Sequence, residues 1–569
     1  MKLAEFLVQY LIDFGITHFF GVGGANIEDI FDALFSASQA SPGLRTILAK
    51  HEFSAACMAD GFARTSQKLG VVLATSGGGA LNLLPGLAES YDSRVPVLAI
   101  AGQPPTHLEG KGAFQDTSGL AGTLTLENTL SSVTKYCAKI TSIDGFSEKL
   151  KKAIEMACTH PRGPVALLIP KDIQVQILSE LPSPPLIESL PSLISDQELQ
   201  DVVSIVQQGL RNRKTPVIIV GNDAQESHIF QEVLRLSQLT GAKVAATPGA
   251  KNCFPSGHPQ FIGLVGVMGN LSVVSHLREA SATFIIGTSL PAMSQYGLTE
   301  SLLEKPLIYM GNRAECFAPS SKIYRWVGDL YTALERLNSF ARACNLEPPL
   351  SDHSPLHFDS HHLPARFFEE YSDFNFKSII DIISDWIEPN ANVVVDAGNC
   401  GASVMHYLRP PEKGQVLIAL GMGGMGYSFG AGIGSVCANK NRTYIIAGDG
   451  AFFMHGFEVH TAIEYHLPIT FIIFNNNSHA MCYTREKVYY QGRYSFNLFQ
   501  PTLIGEGISA MFKTMPSRSI RTLDELKNGV SELRNTQGPV FLSLEMDPKE
   551  IPPFIPFIDA LEKQPGKKV

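Results

Sequence analysis

Three doubly wound parallel-sheet α/β domains are predicted for this chain. Short Val/Ile/Leu-rich runs alternate with helix-length amphipathic segments along its length, and two Pro/Ser-rich stretches without apolar periodicity break it into three parts of domain size. The composition agrees. The 569 residues are 44% apolar, ample for several cores at about 150 residues per domain. The 17% charged residues and net charge of −9 form no like-charged blocks and no basic stripe, which excludes a disordered chain and a nucleic-acid partner.

The two breaks are 180–195 (ELPSPPLIESLPSLIS) and 345–364 (NLEPPLSDHSPLHFDSHHLP), giving expected domains at 1–179, 196–344 and 365–569. In the first part the strands are GVVLATSGGG, PVLAIAGQ and GPVALLIP; in the second PVIIVGND and ATFIIGTS; in the third ANVVVDAGN, TYIIAGDG and ITFIIFNNN. Continuous apolar strands ending in small polar turns are the pattern of a parallel sheet covered on both faces, whose ligands bind beyond the carboxyl ends of the strands. The N-terminal MKLAEFLVQYLIDFG carries Glu5 and Asp13 within its apolar pattern and reads as an amphipathic helix rather than a signal peptide, and no stretch is long and apolar enough to span a membrane. Nine scattered cysteines, Cys316 among them and none in CxxC, fit free thiols in a reducing compartment, so the cytoplasm is expected.

The strand-end turns hold the candidate chemistry. Gly448-Asp449-Gly450 ends one strand, a helix follows, and the next strand ends at Asn475-Asn476-Asn477. A right-handed βαβ crossover returns both ends to one sheet edge. Asp449, Asn476 and the carbonyl of Ser478 then make a partial oxygen shell suited to Mg²⁺, with the remaining ligands from a diphosphate and water. The competing reading is that Asp449 caps the helix and the Asn run forms a turn. Asn399 and Cys400, after ANVVVDAG, offer backbone N–H groups to phosphate oxygens at a helix start. The run Gly421 to Gly426, with Gly423 and Met425 inside it, implies close backbone approach either to a flat or bulky group or between helices. Glu52 opens the helix FSAACMADGFART; it is either a buried acid with a raised pKa suited to proton exchange or a first-turn acid serving the helix dipole.

Together these residues resemble a thiamine diphosphate-dependent enzyme of the acetolactate synthase group. AKHEFSAACMADGFART, TSGGGALN, GQPPT, GAFQD, GPVALLIPKDI, GMGGMGY, the GDG and NN pair and GPVFLSLEMD match in the family's order over essentially the whole length. The resemblance implies a pyrimidine-binding domain, a central domain and a diphosphate-binding domain, in a homodimer or homotetramer with active sites at the subunit interface. It assigns Glu52, Asn399, Cys400, Gly423, Met425, Gly450, Ala451, Asn476, Ser478 and Ala480 to the cofactor, and Asp449, Asn476 and Ser478 to magnesium. Glu52, Gly24, Phe114 and Gln115 become the catalytic set, with Glu52 protonating N1′ of the aminopyrimidine. The implied reaction decarboxylates a 2-oxo acid and adds the enamine to a second carbonyl compound. Simple decarboxylation, or a catalytically silent regulatory relative, are the alternatives; a flavin oxidoreductase is a weaker one.

Two departures bear on cofactor and substrate. The family's flavin-dependent synthases carry a GMHG-like segment where this chain reads GVMG (266–269), followed by GTSLPAMSQ in place of a charged loop, and this counts against FAD. Arg485, one turn beyond Met481, stands where those synthases have a tryptophan shaping the acceptor pocket; it reads either as a carboxylate-binding guanidinium or as a surface partner of Glu486. Phe114-Gln115 replaces the histidine pair common in pure decarboxylases. His353, His357, His361 and His362 have spacings a metal could use, but a proline-broken linker rarely fixes ligand geometry.

Overall fold

Among the described residues eighteen strands form three six-stranded sheets, and neighbouring strands within each run parallel. The computed structural model describes residues 1–178, 184–185, 187, 194–226, 229–311, 323–346 and 372–563. Most of both expected linkers, the four linker histidines and Cys316 lie outside them. The first sheet contains β1 (His18–Gly21), β2 (Arg45–Leu48), β3 (Gly70–Ala74), β4 (Val97–Gln103), β5 (Tyr136–Lys139) and β6 (Val165–Pro170), ordered β2-β1-β3-β4-β6-β5. The second contains β7 (Val217–Val220), β8 (Lys243–Ala246), β9 (Phe261–Leu264), β10 (Thr283–Ile286), β11 (Leu307–Gly311) and β12 (Ile323–Val327). Its order, β12-β11-β10-β7-β8-β9, is that of a dinucleotide-type fold. The third contains β13 (Asn392–Val395), β14 (Gln415–Ile418), β15 (Thr443–Gly448), β16 (Ile469–Asn475), β17 (Ser517–Ile520) and β18 (Val540–Glu545), and repeats the winding of the first: β14-β13-β15-β16-β18-β17.

The expected apolar runs are the interior strands. Every residue of β3, β4, β6, β7, β10, β13 and β16 is buried, because helices cover both faces. The N-terminal segment forms the predicted helix, Leu3–Asp13. Among the described residues no helix is long and apolar enough to cross a membrane, and the eight described cysteines are free.

The shared winding has a packing consequence. The helix Glu52–Ser66 follows β2 and the helix Tyr427–Asn439 follows β14, so the two are equivalent elements, and they pack directly on one another. Small residues permit this: a Cβ on Gly61 would lie 2.2 Å from the Ala431 carbonyl oxygen, and one on Gly434 would lie 1.9 Å from that of Met58. The contact is polar at one end. Arg64 pairs with Asp60 (2.6 Å) and Glu89 (3.3 Å), and the Tyr427 hydroxyl donates to Asp60 at 2.5 Å. The central domain docks on the third sheet's helices through buried Lys251, whose Nζ donates to the Met405 carbonyl (2.6 Å), and through Asn252, which donates to that of Gly414 (3.0 Å).

Gly434→Ala forces a methyl against backbone that cannot swing aside, and is expected to destabilise the protein by about 2 kcal/mol. Gly507→Ala, on an exposed helix position with nothing within 4 Å of the new methyl, should be neutral or slightly stabilising. Calorimetric unfolding midpoints of the two variants check the contrast; equal midpoints would show that the helix contact yields.

Candidate active site

The register of β15 with β16 pairs Gly448 with Phe474, so the turns after the two strands leave the sheet side by side. Asp449, 1% exposed, points into the space between them: its Oδ1 accepts the Gly450 N–H (2.9 Å) and its Oδ2 that of Ser478 (3.1 Å). Burial pushes its carboxyl up to about 7, against the lowering effect of those N–H groups. The three asparagines divide their work. Asn475 donates to Glu545 and to the Thr502 carbonyl, and Asn477, at φ +51°, accepts the Thr502 N–H; both hold the loop. Asn476 accepts the Ser478 hydroxyl (2.9 Å) and faces a cleft of about 450 Å³.

That cleft is also lined by Asn399, Cys400, Met425, Gly450, Ala451, Ala480 and Met481. Asn399 opens the helix Asn399–Tyr407; its Nδ2 donates to Thr484 Oγ1 (3.0 Å), leaving its buried Oδ1 without a partner. A Cβ on Gly450 would meet His479 Nδ1 at 2.6 Å and Met425 Cε at 3.0 Å, so only bare backbone fits at that point of the wall. These features fit a magnesium diphosphate. A buried carboxylate with no ion-pair partner among the described residues favours a cation, and the unpartnered Asn399 Oδ1, an acceptor, can take a hydrogen bond from a water on that cation. Among the described residues no cluster of three or more His, Cys, Asp or Glu could hold a metal unaided, so a metal bound here would need oxygens from the diphosphate.

Met425 is set by two carboxylates that the sequence reading passed over. Asp396, ending β13's run, accepts N–H groups from Gly426 (3.0 Å) and Ser428 (3.0 Å), and Glu89 accepts that of Met422 (2.7 Å) from across the domain contact. Burial raises the Asp396 carboxyl, the N–H groups opposing it. An acid directly after an apolar strand, in VVVDAGN, was the available signal. Gly423 takes φ +64° in the exposed part of this loop and does not line the cleft.

The remaining candidates gather elsewhere, around the turn after β3. Glu52 is the first residue of its helix, behind the cap His51; it is half-buried rather than enclosed. Its Oε2 accepts from Asn82 (2.9 Å), and its Oε1 lies 3.1 Å from a Cβ placed on Gly79. Thr75 closes on Gly24, where a Cβ would clash at 2.6 Å, and a Cβ on Gly77 would lie 2.8 Å from that of Gln115. Gln115, in the left-handed region at φ +59°, accepts the Ser76 hydroxyl (3.4 Å), which accepts from Asn26 (2.7 Å). Phe114 is 80% exposed, which disposes of a core role. The cleft at Asp449 is lined entirely by residues between Ala397 and Cys482, so Glu52 and Asp449 do not share it within one chain. Arg485 is exposed, one turn past Met481, and does not line the cleft; Glu486 is buried and accepts from Asn497 instead.

A second cavity, of about 990 Å³, lies at the carboxyl ends of β7, β8 and β10. Val267, Met268, Thr288, Ser289, Met293 and Ser294 line it, so both departures from the flavin-dependent pattern fall on its wall.

Three family models match the chain in sequence order: the N-terminal TPP binding domain of thiamine pyrophosphate enzymes over residues 1–121, their central domain over 203–337, and their C-terminal TPP binding domain over 396–544. Similar proteins include a probable acetolactate synthase large subunit of Methanocaldococcus jannaschii, 28% identical over 98% of this chain and 94% of that protein. The acetolactate synthase isozyme 1 large subunit of Escherichia coli is 26% identical over 97% and 95%, and acetolactate synthase 2, chloroplastic, of Nicotiana tabacum 25% over 100% and 86%. The chain belongs to the thiamine pyrophosphate-dependent enzymes, in the acetolactate synthase-like group. Thiamine diphosphate is its cofactor.

Asp396→Ala would strand the N–H groups of Gly426 and Ser428, at a cost of about 2–4 kcal/mol. Amide hydrogen exchange should show protection lost first between residues 421 and 428; unchanged exchange there would remove Asp396 as the anchor.

Proposed function

We propose that this enzyme is a Mg²⁺-dependent carboligase, which decarboxylates a 2-oxo acid and joins the retained fragment to a second carbonyl compound. The observation that carries it is the pairing of a buried, cation-seeking Asp449 beside Asn476 and Ser478 with a separate group of Glu52 and Gln115 around the turn after β3. When bound, thiamine diphosphate supplies a carbon nucleophile and stores the electron pair released with CO₂. Asp449, Asn476 and the Ser478 carbonyl would hold Mg²⁺, backbone N–H groups at Asn399 and Ala451 would receive the diphosphate, and Met425 would lie against the cofactor. Glu52 exchanges a proton with N1′ of the aminopyrimidine, held in orientation by Asn82. Gln115, braced by Ser76, hydrogen-bonds a substrate oxygen, Gly24 leaves room at the reacting carbon, and exposed Phe114 covers the site and excludes water. Arg485, on the same helix face as Met481, meets the acceptor at the mouth of the cleft. Among the described residues that line it, the second cavity offers no basic side chain to a dinucleotide's phosphates, which supports a reading without FAD.

The two half-sites of one chain lie apart, so a complete site takes Glu52 from one subunit and Asp449 from another. Exposed Phe114, Phe453, Met454 and Phe457 supply apolar surface for such an assembly. Free thiols are in keeping with the cytoplasm.

Incubation with Mg²⁺, thiamine diphosphate and a panel of 2-oxo acids and aldehydes, with products read by mass spectrometry, should give a carbon–carbon coupled product. Aldehyde and CO₂ alone, with every acceptor offered, would make the enzyme a simple decarboxylase. Glu52→Gln and Asp449→Ala should each lower activity by at least about 100-fold. Mixing the two inactive proteins should restore part of it, since some mixed dimers hold one site with both residues intact. No recovery after proven subunit exchange would place both groups in one chain's site.

A further inference from the structure

The wall of the cleft includes a polar side chain, close to Gly450, that the chemistry above does not use. His479 lies between Ser478 and Ala480, its backbone held at both ends and its ring packed on a neighbour. Its backbone N–H donates to the Asn497 carbonyl (2.9 Å), its own carbonyl accepts the Tyr483 N–H (2.9 Å), and its ring stands edge-on to Phe499, with centroids 4.6 Å apart at 85°. Nδ1 is buried and has no hydrogen-bond partner. It sits 2.6 Å from the point where Gly450 would carry a Cβ, on the cleft wall, so the absence of a side chain at Gly450 is what leaves it room. A buried imidazole nitrogen without a partner costs free energy unless a ligand supplies one. The nearest features of the cleft that select a ligand are Gly450, whose missing side chain leaves space beside Nδ1, and Asp449, a carboxylate suited to a cation; a phosphoryl oxygen paired with that cation would give an Nδ1–H its acceptor.

We infer that His479 is a further ligand of the cofactor's diphosphate, donating from Nδ1 to a phosphoryl oxygen lodged above Gly450. The inference rests on the diphosphate site proposed above and adds to it a side-chain donor.

The test is binding, measured by titration calorimetry with Mg²⁺·thiamine diphosphate and, separately, with Mg²⁺·pyrophosphate. His479→Phe keeps the ring contact with Phe499 and removes Nδ1; both probes should then bind about 10- to 100-fold more weakly, by a similar factor. His479→Asn returns an N–H group near the position of Nδ1 and should bind both within about threefold of wild type, on the scale of a retained hydrogen bond. His479→Leu, read in the same way, replaces the phenylalanine variant if that protein does not fold. Wild-type affinity for both probes in the Phe or Leu variant overturns the inference, as does a loss confined to thiamine diphosphate, which would place the contact on another part of the cofactor. Failure of the wild-type protein to bind either probe would instead refute the diphosphate site itself, and His479 with it.

Discussion

Everything at both half-sites is referred to the contact between the helices Glu52–Ser66 and Tyr427–Asn439. It is close enough that glycines replace side chains along it, and it carries a buried charge network at one end. Burial alone would discourage the Arg64 guanidinium from keeping its proton, but Asp60, Tyr427 and Glu89 outweigh that and hold it charged. A buried ion pair is not in itself a strong source of stability, because desolvation offsets most of the Coulomb gain. What it does here is fix register. With Asp60 shared between Arg64, Ser90 and Tyr427, the two helices cannot slide without stranding a carboxylate.

The consequence reaches the sites because each helix begins at one. Glu52 is the first residue of one helix, and Met425 lies just ahead of the other. The first and third sheets wind identically, so these are equivalent positions in two copies of one architecture: a strand, a loop bearing the chemical group, and a helix that packs against its counterpart. Glu89 extends the link, since its carboxylate touches Arg64 on one side and the Met422 N–H on the other. The loop holding Met425 is thereby tied to the N-terminal domain at one end and to Asp396 at the other, with the exposed glycine turn between them.

The polar groups that shape the Asp449 cleft follow a common rule. Asp396 and Asp449 are both buried, and each is satisfied chiefly by backbone N–H groups of a turn. A carboxylate used in this way fixes a loop without needing a second side chain. Asp449 differs in having an open cleft beside it, so it retains the capacity to take a cation, whereas Asp396 is enclosed by the turn it anchors.

How much of this was written in the sequence depends on where each residue sits. Interior strands such as β4, β13 and β16 announce themselves as unbroken apolar runs because both of their faces are covered. The edge strand β17, half exposed, carries no such pattern and was not singled out. Turns rich in glycine and asparagine at the strand ends located Asp449, Asn476 and Ser478, since the handedness of a βαβ crossover is enough to bring them together. Asp396, Glu89 and His479 were not legible in that way. Each acts through a partner distant in sequence or through an atom left bare by a glycine elsewhere, and periodicity cannot reveal such a contact. The sequence by itself thus determined the three sheets, their strand-end turns and the kind of chemistry those turns suit, because these follow from local patterning and the hand of the crossover. Only the tertiary structure decided that Glu52 and Asp449 occupy separate places in one chain, that Gly423 and Arg485 stand outside the cleft, and that a histidine faces Gly450, because these depend on how two equivalent helices pack.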